Sequence, residues 1–151
     1  MMAVQQPLAA DGPARCALSY GVGRPKERVM EKVLGIGGFF FRSQDPTALA
    51  KWYEVHLGVS VVPSSYDVSP WMQETGPTVF APFAADTSYF GNPGQMWMIN
   101  FRVRDLDAIV AQLRTAEIKV DVDEELYPNG RFARLQDPEG NPIQLWEPRD
   151  A

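Results

Sequence analysis

An α+β fold that uses one βαβββ unit twice is the architecture this sequence predicts. Three observations lead there. A pattern recurs at an offset of 60 residues: Phe41-Arg42, Asp45 and Ala48 match Phe101-Arg102, Asp105 and Ala108, while Leu49 answers Ile109 and Val62 answers Val122. Both copies open on an apolar strand-like run that leads into an Asp-capped stretch of helical spacing. Both then return to short runs of strand character separated by turn residues.

In the first copy "VLGIGGFFFR" reads as a buried strand, apolar, aromatic and glycine-rich. Asp45 caps a helix whose first position suits Pro46. Leu49, Trp52, Tyr53, His56 and Leu57 follow at helical spacing, and Gly58 is a natural stop. "VSVV" and "PTVFAPF" read as later strands. The second copy runs alike, from the strand "QMWMINFRV" to the cap Asp105 and a helix with Leu106, Ile109, Leu113 and Ala116 on one face. "IKVDVD" alternates as a strand, Asn129-Gly130 marks a turn, and "RFARLQ" and "PIQLWE" complete the set. In "DPEGNP", Pro138 suits the first corner of a type I turn and Gly140 its left-handed position.

Module one is thus expected at about 33–90 and module two at about 95–148, together one domain over 33–148. Residues 1–32 mix Gln, Pro, Ala, Gly and basic residues without period, which predicts a flexible N-terminal extension, and Met30 stands as a candidate natural start.

Apolar residues form 45% of the 151 and charged residues 22%, an ordinary globular balance. A net charge of −5 argues against nucleic acid as a partner, since a duplex-binding surface needs dense Lys and Arg. No apolar run approaches a bilayer span, so no membrane partner is expected. Cys16 is the single cysteine, which suits a reducing compartment, and with no secretory leader in view the protein is expected to be cytoplasmic. There is no phosphate-binding loop, no dinucleotide fingerprint between strand and helix, and no His partner for a Ser or Cys nucleophile.

The stretches "DPTALAKWYEVHLGVSV", "MINFRVRDLDAIVAQL" and "GRFARLQDPEGNPIQLWEP" resemble the first helix, the opening of the second module and the closing hairpin of the vicinal oxygen chelate superfamily. That family holds glyoxalase I, bleomycin-resistance proteins and extradiol dioxygenases, and the resemblance covers roughly residues 33–148. It implies two tandem βαβββ modules forming a curved mixed sheet around a cavity, often completed by a homodimer.

In the family's metalloenzymes His, Glu or Gln ligands project from the first strand of each module and from the last strands. Anchored on Gly58, Val103 and the Asp137–Gly140 turn, those positions fall here on Gly38, Met98 and Gln144, and "GPTVFAPF" offers no acid or imidazole for the fourth. Glycine has no donor, and a thioether suits an apolar gap better than a divalent ion. Gln144 alone is left, so no metal and no cofactor are expected. His56, the single histidine, reads as packed or as facing its helix C-terminus. Asp121, Asp123, Glu124 and Glu125 read as a solvated strand end.

Strand alternation then lists the face that ligands would have occupied. Ile36, Phe40 and Arg42 share the side of Gly38; Met96, Asn100 and Arg102 share that of Met98; Trp146 joins Gln144. The opposite faces, with Phe39, Phe41, Ile99, Phe101, Ile143 and Leu145, should pack under the helices. The expected ligand cavity is therefore Gly38, Phe40, Arg42, Met98, Asn100, Arg102, Gln144 and Trp146, a mixture suited to a small organic molecule. For Arg42 and Arg102 taken singly, a rim position, solvated or paired with a nearby Asp, is slightly favoured over a ligand contact, and the loop 84–94 between the modules is a candidate lid. No catalytic residue is identified. The expectation is a metal-independent, small-molecule-binding protein; the alternatives are a metal-dependent glyoxalase-like lyase, isomerase or dioxygenase, and a scaffold for protein association.

Overall fold

The computed structural model describes residues 31–149, so the predicted extension and the place of Met30 as a start lie almost wholly outside the described residues. The chain divides into two compact units, Met1–Phe39 and Phe40–Ala151. Of the first, residues 31–39 are described, and they hold neither helix nor strand.

The second unit carries helix α1 (Pro46–Leu57), strand β1 (Ile99–Arg102), helix α2 (Leu106–Thr115) and strands β2 (Asp121–Val122), β3 (Gly130–Gln136) and β4 (Pro142–Pro148). The strands form one open mixed sheet in the order β1-β4-β3-β2, with β1 parallel to β4 and the other pairs antiparallel. The α+β class is as expected, and from β1 onward the chain is a complete βαβββ module.

The 60-residue repeat has a physical counterpart at the helix starts. The Asp45 side chain accepts the Ala48 N–H at 3.0 Å, and that of Asp105 accepts the Ala108 N–H at 2.9 Å. Each satisfies an N–H that the helix itself leaves unpaired. Pro46 opens α1, and Gly58 closes it with φ of 70°. The hairpin β3–β4 supplies a second anchor to each helix. Glu139, in its turn, accepts from Ser43 Oγ at 2.8 Å and from the N–H groups of Gln44 and Asp45 at 3.0 Å. Glu147, on β4, accepts the Leu106 N–H at 2.6 Å. Both carboxylates sit where the helix dipole favours negative charge.

These contacts hold the Glu139 carboxyl below the ordinary value of 4.5, the Asp45 N–H foremost and then that of Gln44. A depressed carboxyl contributes stability above its unfolded pKa and loses it as pH falls through the folded value. Glu139→Gln is therefore expected to be less stable than wild type at about pH 7, with the gap closing below about pH 4. Urea midpoints at a series of pH values read this directly; a gap that does not depend on pH would refute it.

One core lies between sheet and helices. Ala133, Leu135, Ile143 and Leu145 meet Leu106, Val110 and Leu113 of α2 and Leu49 and Tyr53 of α1. Of the apolar faces predicted from Phe39, Phe41, Ile99, Phe101, Ile143 and Leu145, the last four belong to this core, whereas Phe39 and Phe41 are exposed and lie in no strand. On α2 the buried stripe is Leu106, Val110 and Leu113, with Ile109 half-buried and Ala116 exposed. That differs from the expected face, because a 3.6-residue period brings position 110 under 106 and the helix ends at Ala116.

The expected strands of module one are not present as strands. Among the described residues, 58–98 hold no helix or strand, nor do 31–45. Three glycines in "VLGIGGFFFR" provide no side chain for cross-strand contact. Pro77 and Pro82 within "PTVFAPF" each remove an N–H that a ladder would use. Of "IKVDVD", Asp121 and Val122 join the ladder, opposite Arg134 and Ala133. No helix among the described residues is long and apolar enough to cross a membrane.

Candidate functional site

The sheet face turned away from the helices is built by register. Asn100 lies opposite Gln144, and Gln144 opposite Arg134, so β1, β4 and β3 place three polar side chains in one row. The next row holds Arg102, Trp146 and Phe132. Ala133 and Leu135 alternate with Phe132 and Arg134 to the core side, which is what sends the latter two to this face.

Gln144 is 7% exposed and paired at both ends of its amide. Its Oε1 accepts from Asn100 Nδ2 at 2.8 Å, and its Nε2 donates to the Tyr89 hydroxyl at 2.9 Å. Tyr89 comes from the inter-module loop and lies over this row. The Arg134 guanidinium carbon stands 4.1 Å from its ring centroid, and Arg134 Nη1 donates to its backbone carbonyl at 3.1 Å. Phe83 stacks on the same ring at 5.1 Å.

In the neighbouring row Trp146 stacks on Phe132, centroids 6.2 Å apart and planes 5° from parallel, and donates through Nε1 to the Asn129 carbonyl at 2.8 Å. Arg102 donates to the Glu74 carbonyl at 2.7 Å, and its guanidinium fills the space a β-carbon at Gly76 would need.

Of the expected site residues, Asn100, Arg102, Gln144 and Trp146 thus share one face. Met98 is half-buried just ahead of β1. Phe40 and Arg42 are exposed and belong to no strand, and Gly38 falls in the other compact unit. Arg134 and Phe132 were within reach of the same alternation in "RFARLQ". Tyr89 lies in the loop 84–94 read as a candidate lid, but alternation could not place it on this face, since a loop residue has none.

Two hollows open elsewhere. One of about 380 Å³ lies between Asp45, Leu49 and Trp52 of the α1 region and Pro138 and Glu139 of the hairpin turn. The other, about 260 Å³, is lined by residues such as Tyr127, Arg131 and Glu147. None of the expected site residues lines either. His56 sits on the last turn of α1 with its ring 5.4 Å from that of Trp52.

The residues at the three expected ligand positions do not by themselves make a donor set for a divalent ion. Among the described residues no three His, Cys, Asp or Glu side chains converge on one point. Gln144 Oε1 is held by Asn100, Met98 offers a thioether, and Gly38 has no side chain.

A sequence model of the Glyoxalase/Bleomycin resistance protein/Dioxygenase superfamily matches residues 35–145. No protein of curated function matches. Among solved structures, a glyoxalase family protein from Bacillus anthracis is 28% identical over 38% of this chain and 47% of its own, with a TM-score of 0.34. A glyoxalase/bleomycin resistance protein from Streptomyces sp. CB03234 is 34% identical over 36% of this chain and 48% of its own, with a TM-score of 0.31. TnmS3, an antibiotic binding protein from the same Streptomyces, is 26% identical over 70% and 88% of the two chains, with a TM-score of 0.44. The chain therefore spans about half the length of the first two. With a family match running from ahead of α1 into β4, over a second module built strand by strand as βαβββ, the chain belongs to the Glyoxalase/Bleomycin resistance protein/Dioxygenase superfamily.

Proposed function

We propose that this protein binds a small, flat organic molecule on the face of its second module's sheet that is turned away from the helices, without a metal ion, and acts by sequestering it. The observation that supports this most is the row Asn100, Gln144 and Arg134 beside the stacked Trp146 and Phe132. Aromatic rings supply contact area, and a neutral amide with a guanidinium fixes orientation. Gln144, its Oε1 fixed by Asn100, offers its Nε2 donor without bringing charge into a buried position, where a carboxylate would need compensation.

A thermal-shift screen of small aromatics and thiol adducts should find ligands of the wild type. Gln144→Leu and Arg134→Ala should each weaken them about tenfold, the worth of one hydrogen bond or cation–π contact. If no compound binds, or neither substitution matters, the reading fails. Protein purified without chelator should carry no stoichiometric Zn, Ni, Mn or Fe; finding one would overturn the metal-independent part.

We also infer that the protein works in the cytosol as a homodimer. Phe40, Val62 and Phe80 are 94%, 85% and 86% exposed, and apolar side chains held so openly favour a covering partner. Sedimentation velocity should give twice the chain mass at micromolar concentration, and a monomer there would refute the pairing.

A further inference from the structure

The contacts around Tyr89 go beyond what a loop needs to stay in place. Its hydroxyl oxygen accepts a hydrogen bond from Gln144 Nε2 at 2.9 Å. Its ring lies under a guanidinium at 4.1 Å and beside Phe83 at 5.1 Å. Its carbonyl is held by the same Arg134. An amide donor aimed at a rim oxygen and a cation over the ring are what a protein would present to a phenol free in solution. Yet the residue is not part of the core. Tyr89 is 37% exposed, and its neighbours form turns, with the Gly91 N–H bonded to the Ser88 carbonyl and the Thr87 N–H to that of Ala84. Both halves of the arrangement matter: a strongly specified seat on the sheet, and an occupant carried on a segment without helix or strand.

We propose that Tyr89 is a displaceable internal occupant of the ligand seat, and that the ligand is a flat aromatic bearing a hydroxyl or carbonyl oxygen on its rim. This rests on the reading that the sheet face binds a small molecule, and it names the class. The incoming oxygen accepts from Gln144 Nε2, and the incoming ring takes the place of the tyrosine ring under Arg134. Because the seat is open for a fraction of the time, the apparent affinity of the wild type is lowered by that fraction.

The test uses p-cresol, the side chain of tyrosine as a free molecule, and the full chain carrying Tyr89→Gly. Saturable binding, followed by thermal shift, should be at least about tenfold tighter in Y89G than in wild type, because the competing occupant is gone. Adding Gln144→Leu to Y89G should reverse about tenfold of the gain. Equal affinity in Y89G and wild type, or a gain indifferent to Gln144, overturns the proposal. Should Y89G fail to fold, NMR of the wild type decides. Its Gln144 side-chain amide signals shift as p-cresol is raised to its solubility limit, and unmoved signals overturn the proposal. If the wild type binds aromatics through Gln144 and Arg134 while Y89G gains nothing, this inference falls and the proposed function stands. If Y89G takes p-cresol as expected but no screened compound binds the wild type, Tyr89 is a fixed filler of a hole made by its removal, and both the inference and the proposed function fall.

Discussion

Asp137→Ala is expected to destabilise the protein by about 3–5 kcal/mol, because it removes the acceptor for several buried or half-buried donors at once. The Asp137 side chain is buried at the start of the β3–β4 turn. It accepts the Tyr53 hydroxyl at 2.9 Å, the N–H groups of Glu139 and Asn141 at 2.9 Å, and Asn141 Nδ2 at 2.8 Å. Alanine leaves the Tyr53 hydroxyl facing apolar neighbours and releases the turn that carries Glu139 to the start of α1. Tyr53→Phe is the informative comparison. It deletes one donor and leaves Asp137 with its other partners, so about 1–2 kcal/mol is expected. Urea unfolding followed by circular dichroism separates the two. Near-equal losses would mean that the turn does not depend on Asp137. The Tyr53 hydroxyl itself is pushed far above the ordinary phenol value of 10.0, by burial first and then by the Asp137 charge. A raised phenol contributes stability that is complete below its unfolded pKa and is lost as pH rises above it, so alkaline unfolding should begin above about pH 10 and should be shifted in Y53F.

How far the sequence carries depends on whether the signal is local. Asp45 and Asp105, 60 positions apart, are readable as caps because capping involves a side chain and an N–H three residues on. Asn100, Arg102, Gln144 and Trp146 are readable as one face because alternation along a strand needs no knowledge of the partner strand. The turn at Asp137–Gly140 was legible for the same reason, with Gly140 at φ of 83° and its N–H on the Asp137 carbonyl. Strand formation itself is not local. "PTVFAPF" has strand-like composition, but a ladder exists only where another strand meets it, and propensity cannot supply that. The Tyr89–Gln144 contact spans 55 positions, between a loop and a strand whose separate patterns say nothing of each other. Gln144 shows the same limit. Its position on the face could be read, but the pairing of both ends of its amide depends on residues brought in by the fold.

Trp146→Ala is expected to lower stability by about 3–5 kcal/mol, the range for removing a large buried aromatic. Trp146 is 7% exposed and lies flat against Phe132, whose ring in turn meets Tyr127 edge-on at 5.6 Å. Its indole N–H satisfies the Asn129 carbonyl in the tight loop between Tyr127 and Gly130. The space is made by a glycine: a β-carbon at Gly130 would stand 2.9 Å from Trp146 Nε1 and 2.1 Å from the Glu147 carbonyl, with φ at 133°. Deleting the indole opens a cavity, removes the stack and leaves the loop carbonyl without its donor. Trp146→Phe keeps the stack and loses the hydrogen bond, for which about 1–2 kcal/mol is expected. Denaturation of both variants followed by far-ultraviolet circular dichroism checks the order; a W146A variant as stable as wild type would show that the stack holds nothing. The consequence for the site is direct. A ligand that binds W146A weakly has reported on a loosened hairpin as much as on a lost contact, since Gln144 lies two residues away on the same strand. Assigning a binding role to this face therefore depends on substitutions that leave the hairpin packed, and Gln144→Leu and Arg134→Ala remove recognising groups while sparing the indole that holds the strands together.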